Sequence, residues 1–98
     1  MKMELTKEEY QEIEKLVNYA LSAFRKVDAM PSIRRLESIV SCGGYGGYTN
    51  IVLHDLMCSV KNAVGNRTDK KRLVSIVNED LVKLSMRIED WEGEFYED

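Results

Sequence analysis

The sequence has little of several residue types that commonly mark a catalytic or metal-binding protein. Its 98 residues include one histidine, one proline and two cysteines. Two cysteines are too few for a disulfide scaffold, so we expect Cys42 and Cys58 to be free thiols. The sequence also has no CxxC motif and no evident catalytic grouping of histidine with a nucleophile. We therefore expect a protein that is not an enzyme.

Long apolar runs are missing as well. No stretch approaches the roughly 20 apolar residues that a membrane-spanning helix needs. The first residues, Met1 to Leu5, lead into acidic residues rather than into the apolar core of a signal peptide. We therefore expect a cytoplasmic protein without a membrane partner. The 44% hydrophobic and 32% charged residues fit one globular domain over 1–98, with an acidic, frayed tail at 93–98.

The first predicted helix begins at a capping box. In Thr6-Lys7-Glu8-Glu9, the Thr6 hydroxyl is expected to accept from the Glu9 amide while the Glu9 carboxylate accepts from the Thr6 amide. Apolar residues then recur at spacings of three and four: Tyr10, Ile13, Leu16, Val17, Ala20, Leu21, Phe24 and Val27. This stripe predicts a helix that ends between Asp28 and Pro31, since proline disfavours the helical conformation of the preceding residue.

Three more helices follow in the prediction. A short second helix begins at Pro31 and stops at Gly43. A third begins at a cap, Thr49 or Asn50, and is closed by Gly65. Short connections between amphipathic helices favour antiparallel neighbours, so we expect an all-α, up-and-down bundle of four helices. A three-helix core with a short extra helix is the alternative.

The fourth helix is predicted to be the longest. Thr68 or Asp69 is its expected cap, and its apolar stripe is Leu73, Ile76, Val77, Leu81, Leu84, Ile88, Trp91 and Phe95. Val74 and Val82 widen this stripe beyond what one neighbouring helix covers. We therefore expect the chain to form a homodimer or larger homo-oligomer.

Four of the six glycines lie in one stretch, Ser41 to Asn50, between the second and third helices. Two interpretations remain open for this loop. It is either a connector whose tyrosines, Tyr45 and Tyr48, fold back onto the bundle, or a contact surface at which the glycines let a ligand or partner approach. In the second interpretation Tyr45, Tyr48, Thr49 and Asn50 bind the partner. The stretch lacks a P-loop lysine and follows a helix rather than a strand.

A basic run at the start of the fourth helix is the second candidate site. Cations at a helix N-terminus oppose the helix dipole. A bound phosphate would offset this, held by Arg67, Thr68, Lys70, Lys71 and Arg72. The alternative is an ordinary solvated face. An up-and-down bundle would place this run near Arg25 and Lys26, at the pole opposite the acidic residues of both termini.

His54, Cys58 and Cys42 are the residues that could contribute to a metal site. His54 and Cys58 share a helix face because they are four residues apart, but no fourth ligand is evident. We therefore expect no metal and no cofactor. Acidic residues around Trp91, Phe95 and Tyr96 would suit a basic partner, but a frayed helix end explains them equally.

These patterns favour a small, non-catalytic helical interaction protein, of the inhibitor or adaptor type, that binds and modulates a protein partner. The sequence does not identify that partner. The alternative function is binding of a phosphorylated ligand, a nucleotide or nucleic acid, through residues 67–72, the glycine-rich loop, or both.

Overall fold

The computed structural model describes residues 2–89. It contains helices α1 (Lys7–Ser22), α2 (Lys26–Cys42), α3 (Gly47–Ala63) and α4 (Lys70–Ser85). Within the described range, the only extended pairing consists of two isolated parallel bridges, Lys2 with Tyr45 and Leu5 with Ile88. The predicted all-α bundle is confirmed. The expectations for the tail, for Trp91 and for the aromatic residues after it fall outside the described residues.

The capping box at the start of α1 is confirmed. The Glu9 amide donates to Thr6 Oγ1 at 3.1 Å, and the Thr6 amide donates to Glu9 Oε1 at 2.8 Å. Two amides that the helix itself leaves without partners are satisfied in this way. The inner face of α1 buries Ile13, Val17 and Ala20, as the stripe predicted.

The predicted end of the first helix is wrong. α1 ends at Ser22 and its C-cap residue, Ala23, is extended, so Phe24 and Val27 are not part of its buried stripe. Both side chains are exposed. Because the chain breaks at this point, α1 has 16 residues, as α4 does, and α2 has 17, as α3 does. Helices of equal length can bury their inner faces along the whole bundle.

The second helix is therefore not short. It begins at Lys26, and Pro31 lies inside it rather than at its first turn. A proline inside a helix removes one backbone hydrogen bond. In return, the early start brings Ala29 into the core beside the predicted residues Ile33 and Leu36. The alternative of a three-helix core is excluded for the same reason.

Two other helix boundaries differ from prediction. The N-cap of α3 is Gly46, not Thr49 or Asn50, which both lie inside the helix. α4 has 16 residues and is not the longest element, because it ends at Ser85. Ile88 is buried as predicted, but it lies after the helix, in the bridge to Leu5. Asp69 is the N-cap of α4, without a side-chain capping bond.

The helices run up and down, as both poles of the bundle show. At one pole, the bridges join the N-terminal segment to the glycine-rich loop and to the residues after α4. At the other pole, the Arg67 guanidinium lies 5.7 Å from the centre of the Phe24 ring, which joins the α1–α2 and α3–α4 connections. α3 packs most closely on α4, and α1 on α2.

The core between the helices is apolar except at two points. Its largest fully buried apolar side chains are Leu5, Ile13, Leu36, Leu53, Leu56, Leu84, Val17, Val60 and Val77. Asp80 is buried between α4 and α3, where Ser59 Oγ donates to its carboxylate at 2.6 Å. Thr49 is the other buried polar residue. Both are hydrogen-bonded, which offsets the cost of removing them from water.

Candidate functional site

The N-terminal segment connects the loop between α2 and α3 to the residues after α4. The Lys2 amide donates to the Gly44 carbonyl at 2.8 Å, and the Gly46 amide donates to the Lys2 carbonyl at 2.8 Å. Further along, the Leu5 amide donates to the Arg87 carbonyl at 2.8 Å. Parts of the chain that are distant in sequence therefore share one surface at this pole.

Tyr45, which the contact interpretation assigned to partner binding, is buried in the core. Its side chain is only 8% exposed, and its hydroxyl donates to Glu9 Oε2 at 2.5 Å. The Lys2 ammonium lies 5.3 Å from the centre of its ring. Gly44, with φ of +72°, gives the backbone the turn that directs Tyr45 inward. The buried ring agrees with the connector interpretation, in which this tyrosine folds back onto the bundle.

The contacts around Glu9 shift the pKa of both partners. Partial burial raises the pKa of Glu9, but hydrogen bonds from the Thr6 amide, the Tyr45 hydroxyl and the Lys2 ammonium lower it more, to about 2 from 4.5. Burial, with the added effect of the Glu9 carboxylate, raises the pKa of Tyr45 above its usual range. At neutral pH a neutral hydroxyl therefore donates to a charged carboxylate, which is the stronger kind of hydrogen bond.

Tyr48 lies at the same pole but faces solvent. Its side chain is 52% exposed, and the Arg87 guanidinium lies 5.7 Å from the centre of its ring. Arg87 is itself held in place, since its Nε donates to Thr49 Oγ1 at 3.2 Å and its Nη2 donates to the Met3 carbonyl at 3.2 Å. The aromatic ring and the cation are therefore positioned by the fold.

We call this surface the loop face and define it by Met3, Tyr48, Ile51 and Arg87. Met3 and Ile51 are both exposed, and Ile51 lies about one turn beyond Tyr48 on α3. The end of the Met3 side chain rests on Gly47, where a Cβ atom would overlap its methyl group. An exposed aromatic ring, a methionine, an isoleucine and an oriented guanidinium thus lie at the same pole of the bundle.

The last two loop residues assigned to partner binding lie inside α3. Thr49 is fully buried, and its hydroxyl donates to the Met3 carbonyl at 2.5 Å. Asn50 is only partly exposed. The structure therefore gives Thr49 a positioning role, because it holds both Arg87 and the N-terminal segment. It is not accessible to a partner.

The opposite pole carries a second surface, which we call the basic pole. We define it by Phe24, Lys26, Val27, Arg67, Lys70 and Lys71. Phe24 is 85% exposed, although the Arg67 guanidinium lies near its ring. The Lys26 Cδ atom lies 3.6 Å from the position that a Gly65 Cβ would occupy, so the Lys26 side chain reaches the facing connection. Phe24 and Arg67, from the two connections, and Lys26, from the start of α2, are thus brought to one pole.

The other two residues predicted for the phosphate site make bonds within the connection before α4. Thr68 Oγ1 donates to Asn66 Oδ1 at 3.3 Å, and the Asp69 amide donates to the same oxygen at 2.9 Å. Arg72 Nε donates to Asp69 Oδ2 at 2.8 Å. The hydrogen bond from Arg72 lowers the pKa of Asp69, and the hydrogen bond to Asp69 raises the pKa of Arg72. Thr68 and Arg72 are therefore engaged by neighbours.

Six residues of these surfaces are not among the site residues that the sequence predicts. They are Met3, Ile51 and Arg87 on the loop face and Phe24, Lys26 and Val27 at the basic pole. Phe24 was assigned to the buried stripe, and Arg87 was not considered. The run Phe24-Arg25-Lys26 is a local signal of a surface, because cations follow the phenylalanine directly. No local signal marks Arg87, since its partners Met3, Tyr48 and Thr49 are all distant in sequence.

The cysteines and the histidine do not form a joint site. His54 and Cys58 line a groove of about 280 Å³ between α2 and α3, together with Glu37 and Lys61, which pair at 2.6 Å. Cys42 lines a different cleft, beside Tyr45. Across residues 2–89, no group of three or more His, Cys, Asp or Glu side chains is arranged to hold a metal ion.

The chain matches no protein-family model, no curated protein and no solved structure. In the part of the chain that the structure describes, none of the helices combines the length and the apolar character that crossing a bilayer requires. The loop face and the basic pole are therefore the two surfaces for which a function is proposed.

Proposed function

We propose that this chain is a small, non-catalytic helical interaction protein of the inhibitor or adaptor type, which binds and modulates a protein partner through the loop face. The observation that carries the proposal is the Tyr48–Arg87 pair. The Tyr48 ring is half exposed, and the Arg87 guanidinium is fixed by hydrogen bonds to Thr49 and Met3.

The residue types of the loop face support this proposal. Tyrosine, arginine and methionine are enriched at protein interfaces, and tyrosine and arginine supply many of the residues that dominate binding energy. A side chain that is already held in its bound orientation loses less entropy on binding. Arg87 is held by two side-chain hydrogen bonds, so its contribution to such an interface would be preorganised.

The rim of the loop face indicates the charge of the partner surface. Glu4 follows Met3, Asp55 lies one turn beyond Ile51 on α3, and Glu89 donates its amide to the Leu5 carbonyl at 2.7 Å. All three carboxylates are on exposed residues. We therefore propose a partner surface with an apolar centre and a basic rim, for which these carboxylates would steer the encounter.

The experiment is capture of partners from the native host by the tagged chain, followed by mass spectrometry. Wild type is compared with Tyr48→Ala and with the matched control Tyr19→Ala, a tyrosine 60% exposed on the outer side of α1. We expect Tyr48→Ala alone to lose the partner while its melting temperature stays near that of wild type. Equal capture by all three proteins would contradict the proposal.

We also propose that the chain self-associates through the outer face of α4. Val82 and Met86 lie four residues apart, hence on one side, and each is 55% exposed. Val74, the other residue on which this expectation rested, is partly buried. The exposed apolar area is therefore smaller than the sequence indicated, which favours a weak dimer.

Binding of a phosphorylated ligand at the basic pole is the second candidate function. Lys70 and Lys71 form no ion pair with any residue between 2 and 89. Within the same range Arg67 forms no ion pair either, and its guanidinium lies over the Phe24 ring. Cations without a local carboxylate are available to an anion. Reversal of Lys70 and Lys71 to glutamate should remove the stabilisation that polyphosphate gives to wild type, and its persistence would exclude the site.

A further inference from the structure

We infer that the basic pole binds single-stranded nucleic acid, with a base stacked on Phe24 and the strand's phosphates on the surrounding cations. This inference rests on the second candidate function and names its ligand. It concerns the pole opposite the loop face and does not depend on the protein partner proposed there.

Phe24 is the first observation. It is the most exposed of the large hydrophobic side chains in the described chain, at 85%. It lies between Ala23, the C-cap of α1, and Arg25, the N-cap of α2. The Arg67 guanidinium lies 5.7 Å from the ring centre, and most of the ring surface is left open to solvent. An open aromatic face beside a guanidinium suits a stacked base.

The charge around Phe24 is the second observation. Six cations lie in the two connections at this pole and in the first turns of the helices that follow. Arg25 and Arg67 are in the connections, and Lys26, Lys70, Lys71 and Arg72 are at the starts of α2 and α4. The acidic residues nearby are Asp28 and Asp69, which pair with Arg25 and Arg72. Four cations are left for a ligand, Lys26, Arg67, Lys70 and Lys71, and Arg67 lies against the ring itself.

These two observations together select the ligand class. Single strands expose base faces and carry a phosphate on each nucleotide, so one ring and several cations can be engaged at once. A duplex hides its base faces and would use only the cations. A membrane would need more apolar surface than Phe24 and Val27 offer, because even a whole acyl chain gives marginal anchoring. An acidic peptide fits less well than a single strand, because its charges do not alternate regularly with flat rings that could stack on Phe24.

The inference is tested by fluorescence anisotropy of a short labelled oligothymidylate titrated with the full chain at low salt. Wild type should bind, and its affinity should fall with salt with a log–log slope of about −3, from about 0.7 per phosphate contacted on a single strand. Phe24→Ala should weaken binding roughly 5- to 150-fold, and Phe24→Trp should retain it. Lys83→Glu, at an exposed position near the end of α4 that is away from the basic pole, serves as the control and should bind like wild type.

Each other outcome has a defined meaning. Failure of wild type to bind, equal binding of Phe24→Ala, or equal affinity for a duplex of the same length would overturn the inference. If Lys70→Glu/Lys71→Glu loses binding while Phe24→Ala keeps it, the inference that a base stacks on Phe24 is overturned. The second candidate function, binding of phosphate groups by the lysines, is then retained. Binding to phosphatidylserine vesicles without binding to the oligothymidylate would assign the pole to a membrane instead. Melting temperatures of all variants exclude misfolding as the cause of any loss.

Discussion

The Tyr45 hydroxyl donates a 2.5 Å hydrogen bond to the Glu9 carboxylate, and this contact joins the glycine-rich loop to the first turn of α1. Glu9 also accepts from the Thr6 amide and from the Lys2 ammonium at 2.9 Å. One carboxylate thus holds the helix start, the N-terminal segment and the loop. The stability of this pole should depend on it.

Removal of the Tyr45 hydroxyl tests this dependence. Tyr45→Phe keeps the buried ring but deletes a hydrogen bond to a charged group, which usually contributes about 1.5–3 kcal/mol when buried. Since Glu9 is 26% exposed, we expect a loss of about 1 kcal/mol, reduced by solvent screening. Denaturant unfolding of Tyr45→Phe and wild type measures it. An unchanged free energy of unfolding would show that the contact does not stabilise the pole.

Acid should weaken the same contact. The folded-state pKa of Glu9 is about 2, below its ordinary 4.5, so the unfolded chain binds this proton more readily. The stabilisation from Glu9 is therefore fully present above the ordinary pKa and is lost as pH falls from there through about 2. Unfolding of wild type and Glu9→Gln, measured across this window, should show a steeper decline for wild type. Parallel curves would contradict the assignment.

The backbone at Gly44 gives a third prediction. Its φ is +72°, and nothing lies within 4 Å of a Cβ placed there, so only the backbone conformation opposes a side chain. Gly44→Ala should cost about 1–2 kcal/mol, and Gly44→Asn less, because asparagine tolerates this conformation better. Thermal unfolding of both variants measures the difference. Equal stability of the two would indicate that the loop relaxes away from this conformation.

The tandem repeat Gly-Gly-Tyr shows what the sequence could and could not predict. It occurs at Gly43 to Tyr45 and again at Gly46 to Tyr48, yet the first tyrosine is buried and the second is half exposed. The distinction comes from Glu9 and Arg87, which are far away in the chain. The local sequence pattern predicts a turn at both places. It cannot predict which distant residue each tyrosine contacts, because these contacts form only in the folded chain.

Helix existence was predictable, whereas some boundaries were not. The Thr6–Glu9 capping box and the apolar stripe of α1 depend on local spacing, and both are confirmed. The same spacing continues through Phe24 and Val27, so it gave no sign that the chain breaks at Ala23. The break depends on matching the length of α1 to its neighbours, which is a property of the whole bundle. Phe24 was missed as a surface residue for this reason.

Self-association gives the fourth prediction. Light scattering at micromolar concentration should detect a species larger than the 11.3 kDa chain. Val82→Asp/Met86→Asp should return it to the monomer, because charges on an apolar contact would lose hydration. The paired control Gln11→Asp/Asn18→Asp adds the same charge to exposed polar positions of α1, away from the outer face of α4, and should leave association unchanged. A wild-type monomer would contradict the proposed dimer.

The proposed function is tested most directly by photo-crosslinking in the native host. A photoreactive phenylalanine analogue is placed at Tyr48 in one protein and at Tyr19, exposed to a similar degree, in another. If the loop face binds a protein partner, position 48 should give a discrete crosslinked product, and the additional substitution Arg87→Gln should reduce it. Position 19 should give none. No product at position 48, or the same product at both positions, would contradict the proposal that the loop face is the binding surface.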